Sequence, residues 1–227
     1  MNLFRKATAE FIGTFALVFS GCGSIMVIER FPQTLSPYVV PVVFGLVVAA
    51  MIYALGHISG AHFNPAVTFA FTVVRHLPAR QMIVYFFAQF LGGLFALALL
   101  STILPSGELY GATIPHVGFI DAWIWEVTLS FFLMFVIMAV ATDTRAVGML
   151  AGVAIGATVM FCAFVGGPVT GASMNPARSL APAIFENQLS TFWIYLTGPM
   201  SGAALAAFVY KFIRCEKDTI KNAEGCC

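Results

Sequence analysis

The chain has 227 residues, of which 60% are hydrophobic and 9% are charged, and its formal net charge is +1. Soluble domains carry about a quarter charged residues, so this composition argues against a soluble fold and for a protein solvated by lipid. The near-neutral charge and the absence of a basic block argue against a nucleic-acid partner.

Runs free of Asp, Glu, Lys and Arg mark the predicted membrane segments. The first run follows Arg5 and Lys6 as a signal peptide would, but it is too long for a cleaved core, so we read it as a retained helix. Two runs, of 44 and 32 residues, are too long for one span of about 20 residues and too short for two spans with a normal loop between them. In chain order, the runs are Phe11–Ile28, Phe31–Val74, Gln81–Gly107, Val127–Thr142, Ala146–Ala177 and Asn187–Tyr210.

Both long runs are interrupted by glycine and proline, at His57 to Pro65 and at Gly166 to Pro176. These residues stop a helix, and a proline directly after asparagine suits the first turn of a new one. Each long run therefore predicts a full helix, a re-entrant loop and a half-helix. The predicted spans are 7–28, 38–56, 82–104, 121–142, 148–166 and 191–213, with half-helices at 64–74 and 175–185.

Positive charge predicts the orientation. Six spans bring both termini to one side, and the cations gather there, so both ends are expected in the cytoplasm. On the other side lies Arg30, and Arg178 falls in the second re-entrant loop. The residues on the cytoplasmic side are Arg5, Lys6, Arg75, Arg80, Arg145, Lys211, Arg214, Lys217 and Lys221.

The two halves of the chain repeat. Residues 60–70 align with residues 171–181, with six of eleven pairs identical. Three spans per half is an odd number, so the second half must enter the membrane from the opposite face, which makes the repeat inverted. We predict one channel domain over 1–227, with repeat one about 7–104, repeat two about 121–213 and a polar cytoplasmic tail at 214–227.

The doubled Asn-Pro-Ala motif carries a family resemblance. Asn64-Pro65-Ala66 and Asn175-Pro176-Ala177, the latter followed by Arg178, occupy matched places in the two halves. Over essentially the whole chain this pattern resembles the major intrinsic protein (aquaporin) family, and the stretch from His57 to Thr68 resembles its bacterial water channels. The resemblance implies an all-α membrane protein with six transmembrane helices, two re-entrant half-helices, a pore in each subunit and a homotetramer in the cell (inner) membrane.

Several polar residues gain expected roles. Asn64 and Asn175 would cap two half-helix N-termini that meet near the midplane, and still offer N–H donors to the lumen. Arg178 is a permanent cation within the membrane and so marks a functional site. By resemblance, Glu10 and Glu126 brace the re-entrant loops, although intramembrane acids also suit a proton relay.

The histidines and cysteines give weaker signals. By resemblance, His57 lies near the cytoplasmic pore mouth. No metal-ligand spacing is evident, and we expect no cofactor. Cys226 and Cys227 could accept a lipid, with a plain tail as the alternative.

By resemblance, four positions form the selectivity filter: Phe44, Ala163, Ala172 and Arg178. Strict water channels usually carry His where this chain has Ala163, so the filter is expected to be wider and less polar. Glycerol-conducting members usually replace the Phe as well. Ser179, Ala183 and the Phe192-Trp193 pair favour water instead.

The predicted function is therefore a passive water channel with a filter widened by Ala163. A facilitator of glycerol or other small neutral solutes is the alternative on the same fold. An ion-coupled transporter would need titratable groups at the midplane, and an intramembrane enzyme would need a nucleophile–base pair or a metal set, neither of which is evident. A structural junction protein fits poorly with the intact Arg178 and both asparagines.

Overall fold

A computed structural model of the chain describes residues 2–104, 110–142 and 148–214. Cys226, Cys227 and the rest of the predicted tail beyond Arg214 lie outside these residues. Within the described residues the fold is all-α, as predicted, with six long apolar helices of membrane-spanning length and two short ones between them. In chain order the helices are α1 (Leu3–Arg30), α2 (Val39–Ser59), α3 (Pro65–Val73), α4 (Ala79–Ile103), α5 (Phe119–Thr142), α6 (Ala151–Thr170), α7 (Pro176–Phe185) and α8 (Phe192–Ile213).

The helices before the two re-entrant loops run further than predicted. We expected α2 to end at 56 and α6 at 166. Instead they continue to Ser59 and Thr170, and their C-caps are Gly60 and Gly171, whose φ angles of 92° and 82° are left-handed. A helix commonly ends on such a residue, which glycine adopts without a Cβ clash. Gly56, Gly166 and Gly167 are helical. The presence of a glycine therefore did not by itself show where each helix ends.

The two halves have matching packing. In the first half α1 packs against α2 and α4, and in the second α5 packs against α6 and α8. Each short helix also packs on the last helix of the other half, α3 on α8 and α7 on α4. This exchange interlocks the halves as an inverted repeat, which confirms the predicted fold class.

The halves meet most closely where α2 crosses α6. A Cβ added to Gly45 would lie 2.6 Å from the carbonyl oxygen of Gly156, and one added to Gly156 would lie 2.5 Å from that of Gly45. Only glycine permits this approach, because any Cβ would clash with the facing backbone. Small residues of this kind let membrane helices pack backbone to backbone.

The short helices divide the membrane thickness between them. With nine and ten residues, α3 and α7 are about 14 and 15 Å long. Placed end to end, they cover nearly all of a hydrocarbon core about 30 Å thick. Their N-termini, which carry the two Asn-Pro-Ala motifs, therefore meet in the middle of the bundle.

Candidate functional site

Asn64 and Asn175 cap α3 and α7. Both have extended backbones, and the Oδ1 of Asn64 accepts from the N–H of Ala66 at 2.8 Å. The Oδ1 of Asn175 accepts from the N–H of Ala177 at 3.0 Å and from that of Arg178 at 3.3 Å. The proline that follows each asparagine has no N–H, but this loses no hydrogen bond because an N–H in the first turn has no helical partner. The Asn-Pro-Ala sequence thus builds each helix N-terminus locally.

The same two side chains tie the re-entrant loops together. The Nδ2 of Asn64 donates to the carbonyl of Met174 at 2.7 Å, and the Nδ2 of Asn175 donates to the carbonyl of Phe63 at 2.9 Å. An amide nitrogen carries two hydrogens. Each asparagine therefore keeps a second N–H, and both residues line a cavity through the bundle.

Both loops hold non-glycine residues in left-handed backbone conformations. Ala61 and Phe63 have φ angles of 52° and 50°, and Ala172 and Met174 have φ angles of 44° and 51°. Such residues are strained and persist only when the surroundings hold them. The strain sits at the same two places in each loop, one and three residues before the asparagine.

Glu10 holds the first loop. Its Oε1 accepts from the Ser59 hydroxyl at 2.6 Å and from the N–H of His62 at 3.0 Å. Its Oε2 accepts from the N–H of Phe63 at 2.7 Å and from the Nε2 of Gln89 at 2.8 Å. The carboxylate is fully buried, and its four donors satisfy it as a buried charge requires.

Glu126 holds the second loop in the same way. Its Oε1 accepts from the Thr170 hydroxyl at 2.7 Å and from the N–H of Ser173 at 2.9 Å. Its Oε2 accepts from the N–H of Met174 at 2.9 Å. Both carboxylates therefore accept hydrogen bonds from backbone N–H groups in the loops that have no helical partner. Non-helical backbone at membrane depth needs such partners within the protein.

Two tyrosines complete this arrangement, and the sequence analysis missed them. The hydroxyl of Tyr85 donates to the carbonyl of Ser59 at 2.7 Å, and that of Tyr195 donates to the carbonyl of Thr170 at 2.8 Å. Each tyrosine thus satisfies a carbonyl at the end of a helix that leads into a loop. Their spacing of 110 residues, close to the 111 between the asparagines, was a signal that could have found them.

Gln89 was missed as well. Besides its bond to Glu10, its Nε2 lies 2.9 Å from the hydroxyl of Thr68 in α3. A fully buried amide in an apolar span is uncommon, because a buried polar group is costly without partners. A glutamine among apolar neighbours was therefore the sequence signal that could have identified this residue.

The four predicted filter residues line one cavity. The guanidinium carbon of Arg178 lies 5.2 Å from the ring centroid of Phe44, within cation–π range. Ala163 and Ala172 line the same cavity, and each carries only a methyl group. Arg178 itself is 3% exposed, so its charge is held inside the protein.

Arg178 has a partner that sequence reasoning did not supply. Its Nη1 donates to the carbonyl of Gly111 at 2.7 Å. Gly111 lies between α4 and α5 and has a φ of 81°. The local sequence gives no indication that this segment folds back over α7, because only the tertiary fold brings the two together.

The two histidines of the first interruption occupy different surroundings. His57 is exposed on the last turn of α2 and is not among the residues lining the cavity, whereas His62 lines it. The Nδ1 of His62 lies 3.0 Å from the Thr68 hydroxyl, and its ring stacks on Phe71 at 4.8 Å. Across residues 2–104, 110–142 and 148–214, no group of three or more His, Cys, Asp or Glu side chains is placed to hold a metal ion.

The cavity wall is mostly apolar, and its polar groups come mainly from the two loops. Such a wall offers a small solute few hydrogen bonds except where the loops and Arg178 present them. Its polar side chains are His62, Asn64, Ser173, Asn175 and Arg178, and its apolar side chains include Leu17, Phe44, Val48, Ile52, Val67, Phe71, Leu133, Ile137, Ile155, Val159, Ala163 and Ala172.

Six membrane-length helices around a cavity, with two opposed half-helices at its middle, define a multi-pass membrane channel. The chain belongs to the major intrinsic protein family, whose model matches residues 1–210. Members of this family are channels for water and small neutral solutes and are not enzymes. The predicted likeness of residues 57–68 to bacterial water channels stays a prediction.

Individual proteins support the family assignment. The chain is 44% identical to Nodulin-26 of Glycine max over 211 residues, which cover 92% of this chain and 78% of that protein. It is also 44% identical to Aquaporin NIP1-1 of Oryza sativa subsp. japonica, over 92% of this chain and 74% of that one. The X-ray structure of the aquaglyceroporin from Plasmodium falciparum superposes with a TM-score of 0.86 at 23% identity, over 94% of this chain and 98% of that one. This last match establishes the fold.

Proposed function

We propose that the protein is a passive channel for water whose relaxed filter also passes small uncharged solutes. The observation that carries this proposal is the pair of alanines, Ala163 and Ala172, on the cavity that Arg178 and Phe44 also line. Two methyl groups leave space that a ring at Ala163 would fill. The four positions were assigned to the filter by family resemblance, and their shared place on one cavity supports that assignment.

The midplane of this channel would exclude ions. The N-termini of α3 and α7 each carry a partial charge of roughly +0.5, so the region between them is hostile to cations. The free N–H groups of Asn64 and Asn175 would donate to one water molecule. Its oxygen would then point at the asparagines and its hydrogens away from them, which interrupts a chain of proton transfers.

The filter would add a second barrier. Arg178 presents a permanent positive charge to the cavity, which repels cations and donates hydrogen bonds to neutral solutes. Its bond to Gly111 and its contact with Phe44 orient the guanidinium along the wall. A small polyol could accept from Arg178 while its carbon atoms face the two alanines.

A facilitator used chiefly by glycerol is the second candidate. The alanine pair favours it, whereas the surroundings of Ser179 favour water. The Ser179 hydroxyl is bonded to that of Thr113 at 2.8 Å and is fully buried, so this position offers no charged group to a solute. An ion-coupled transporter is disfavoured because the midplane presents amides, which do not titrate.

We further propose a homotetramer in the cell (inner) membrane, with both termini cytoplasmic. The orientation rests on the excess of Lys and Arg in the sequence segments expected on the cytoplasmic side, of which Arg145, Lys217 and Lys221 lie outside the described residues. The assembly rests on the family and on the large apolar side chains exposed along the membrane helices, which face either lipid or another copy.

Stopped-flow light scattering from proteoliposomes tests the proposal. An impermeant osmolyte should shrink vesicles that contain the protein much faster than empty ones. A pH-sensitive dye in the same vesicles should report no faster proton leak than in empty ones. Water flux equal to that of empty vesicles, or a proton leak that needs the protein, would contradict the proposal.

A further inference from the structure

Residues 110–113, which precede α5, are held by a carboxylate that has no part in the loop bracing. Residues 110–113, which we call the filter strap, cross over the C-terminal end of α7. The N–H groups of Tyr110 and Ala112 both donate to the Oε1 of Glu186, at 2.6 and 2.9 Å. Glu186 itself is the C-cap of α7.

The strap residue between these two donors is the partner of Arg178. Gly111 is buried. Because its backbone is left-handed, its carbonyl points in a different direction from the N–H groups of Tyr110 and Ala112. A Cβ at this position would also meet Cys22 at 3.3 Å and Ile25 at 3.1 Å. The strap therefore rests on α1, with its N–H groups directed to Glu186 and its carbonyl to Arg178.

Glu186 and Arg178 lie on the same short helix. Arg178 is in the first turn of α7 and Glu186 follows its last residue, Phe185. The strap bridges them, accepting from Arg178 and donating to Glu186. Thr113 adds a further anchor through its hydroxyl, which bonds to that of Ser179.

We propose that Glu186 is a positioning residue for the selectivity filter, acting on Arg178 through the strap. By fixing Tyr110 and Ala112, it holds the Gly111 carbonyl where the guanidinium can donate to it. A buried guanidinium deprived of this acceptor needs another hydrogen-bond partner, and the cavity that Arg178 lines would offer water. The guanidinium would then occupy part of the lumen, and a larger solute would be obstructed more than water.

This inference rests on the proposed function, since its main readout is solute flux through the filter. In proteoliposomes Glu186→Ala should lower the ratio of glycerol to water permeability by roughly fivefold, the lower end of typical couplings between sites. Glu186→Gln keeps an acceptor oxygen and should stay closer to the wild type. Asp121→Asn, which removes an exposed carboxylate at the same end of the bundle, should leave the ratio unchanged.

A double-mutant cycle separates positioning from a structural effect. In an Arg178→Ala background there is no guanidinium to misplace, so adding Glu186→Ala should not change the ratio further. An effect of Glu186→Ala as large in that background as in the wild type would overturn the proposal.

Amide hydrogen exchange gives a readout that does not depend on transport. Glu186→Ala should speed exchange at Tyr110 and Ala112, while exchange within α5 stays as in the wild type. Unchanged exchange at these two amides would also overturn the proposal. If the wild type conducts neither water nor glycerol, the proposed function is wrong, and this measurement still tests the strap.

Discussion

Asn64 and Asn175 are linked reciprocally, each donating its side-chain amide to the carbonyl of the residue that precedes the other. Each also caps its own half-helix through the oxygen of the same amide. One side chain therefore joins the start of a helix to the opposite loop. This double use fixes the two N-termini at the same depth and leaves one N–H of each amide for the lumen.

Replacing one asparagine should cost both stability and conduction. Asn175→Ala removes a cap, worth about 1 kcal/mol, and leaves the buried carbonyl of Phe63 without its donor, worth about another 1–3 kcal/mol. We expect a lower free energy of unfolding in detergent and a reduced water permeability. Gln188→Ala, at an exposed position just beyond α7, is the control, and equal stability of the two variants would contradict the linkage.

Replacing a loop-bracing glutamate by glutamine should destabilise the protein. Glu126→Gln keeps the shape of the side chain but sets an NH2 group against the N–H of Met174 or of Ser173, which leaves a buried donor unpaired at a cost of about 1–3 kcal/mol or more. Thermal unfolding in detergent should show a clearly lower midpoint. Asp121→Asn changes an exposed carboxylate in the first turn of the same helix and should lower the midpoint much less, because a surface charge there is worth about 0.3–1 kcal/mol. A similar loss in both variants would argue against bracing.

Restoring a ring should narrow the filter. Ala163→His places an imidazole on the cavity wall that Ala163 lines, taking up space beside Ala172. Glycerol permeability should fall by roughly tenfold or more, within the discrimination that pocket size commonly gives, while water permeability changes little. Ala154→His would add the same ring to α6 outside the residues that line the cavity and serves as the control. Glycerol flux unchanged by Ala163→His would show that the filter lies elsewhere.

His76, between α3 and α4, should make stability depend on pH. Partial burial lowers its pKa, and the nearby positive charges of Arg214 and Lys211 lower it further. The unfolded chain therefore binds this proton more readily than the folded one, so stability should fall as the pH drops through about 6.5, the ordinary histidine value. His76→Gln should make the unfolding midpoint less sensitive between pH 7.5 and 5.5, whereas His116→Gln, at the other end of the bundle, is the control. An identical pH dependence in wild type and His76→Gln would contradict this.

The eight helices could be predicted because each rests on a local signal. Charge-free runs set the spans, and Asn-Pro in each long run marked the start of α3 and of α7. The bracing role of Glu10 and Glu126 was predicted from the family resemblance. What the sequence could not give are contacts made over long separations, such as Gly111 with Arg178 or Tyr110 with Glu186. These depend on how a loop lies across a finished bundle, which no local pattern encodes.

We propose a filter that passes water and, because of Ala163 and Ala172, small neutral solutes as well. Its most direct test is a stopped-flow experiment on wild-type proteoliposomes mixed with excess glycerol. We expect fast shrinkage as water leaves, followed by re-swelling, faster than in empty vesicles, as glycerol and water enter. Fast shrinkage with re-swelling no faster than in empty vesicles would mean a channel selective for water, and would contradict the relaxed filter.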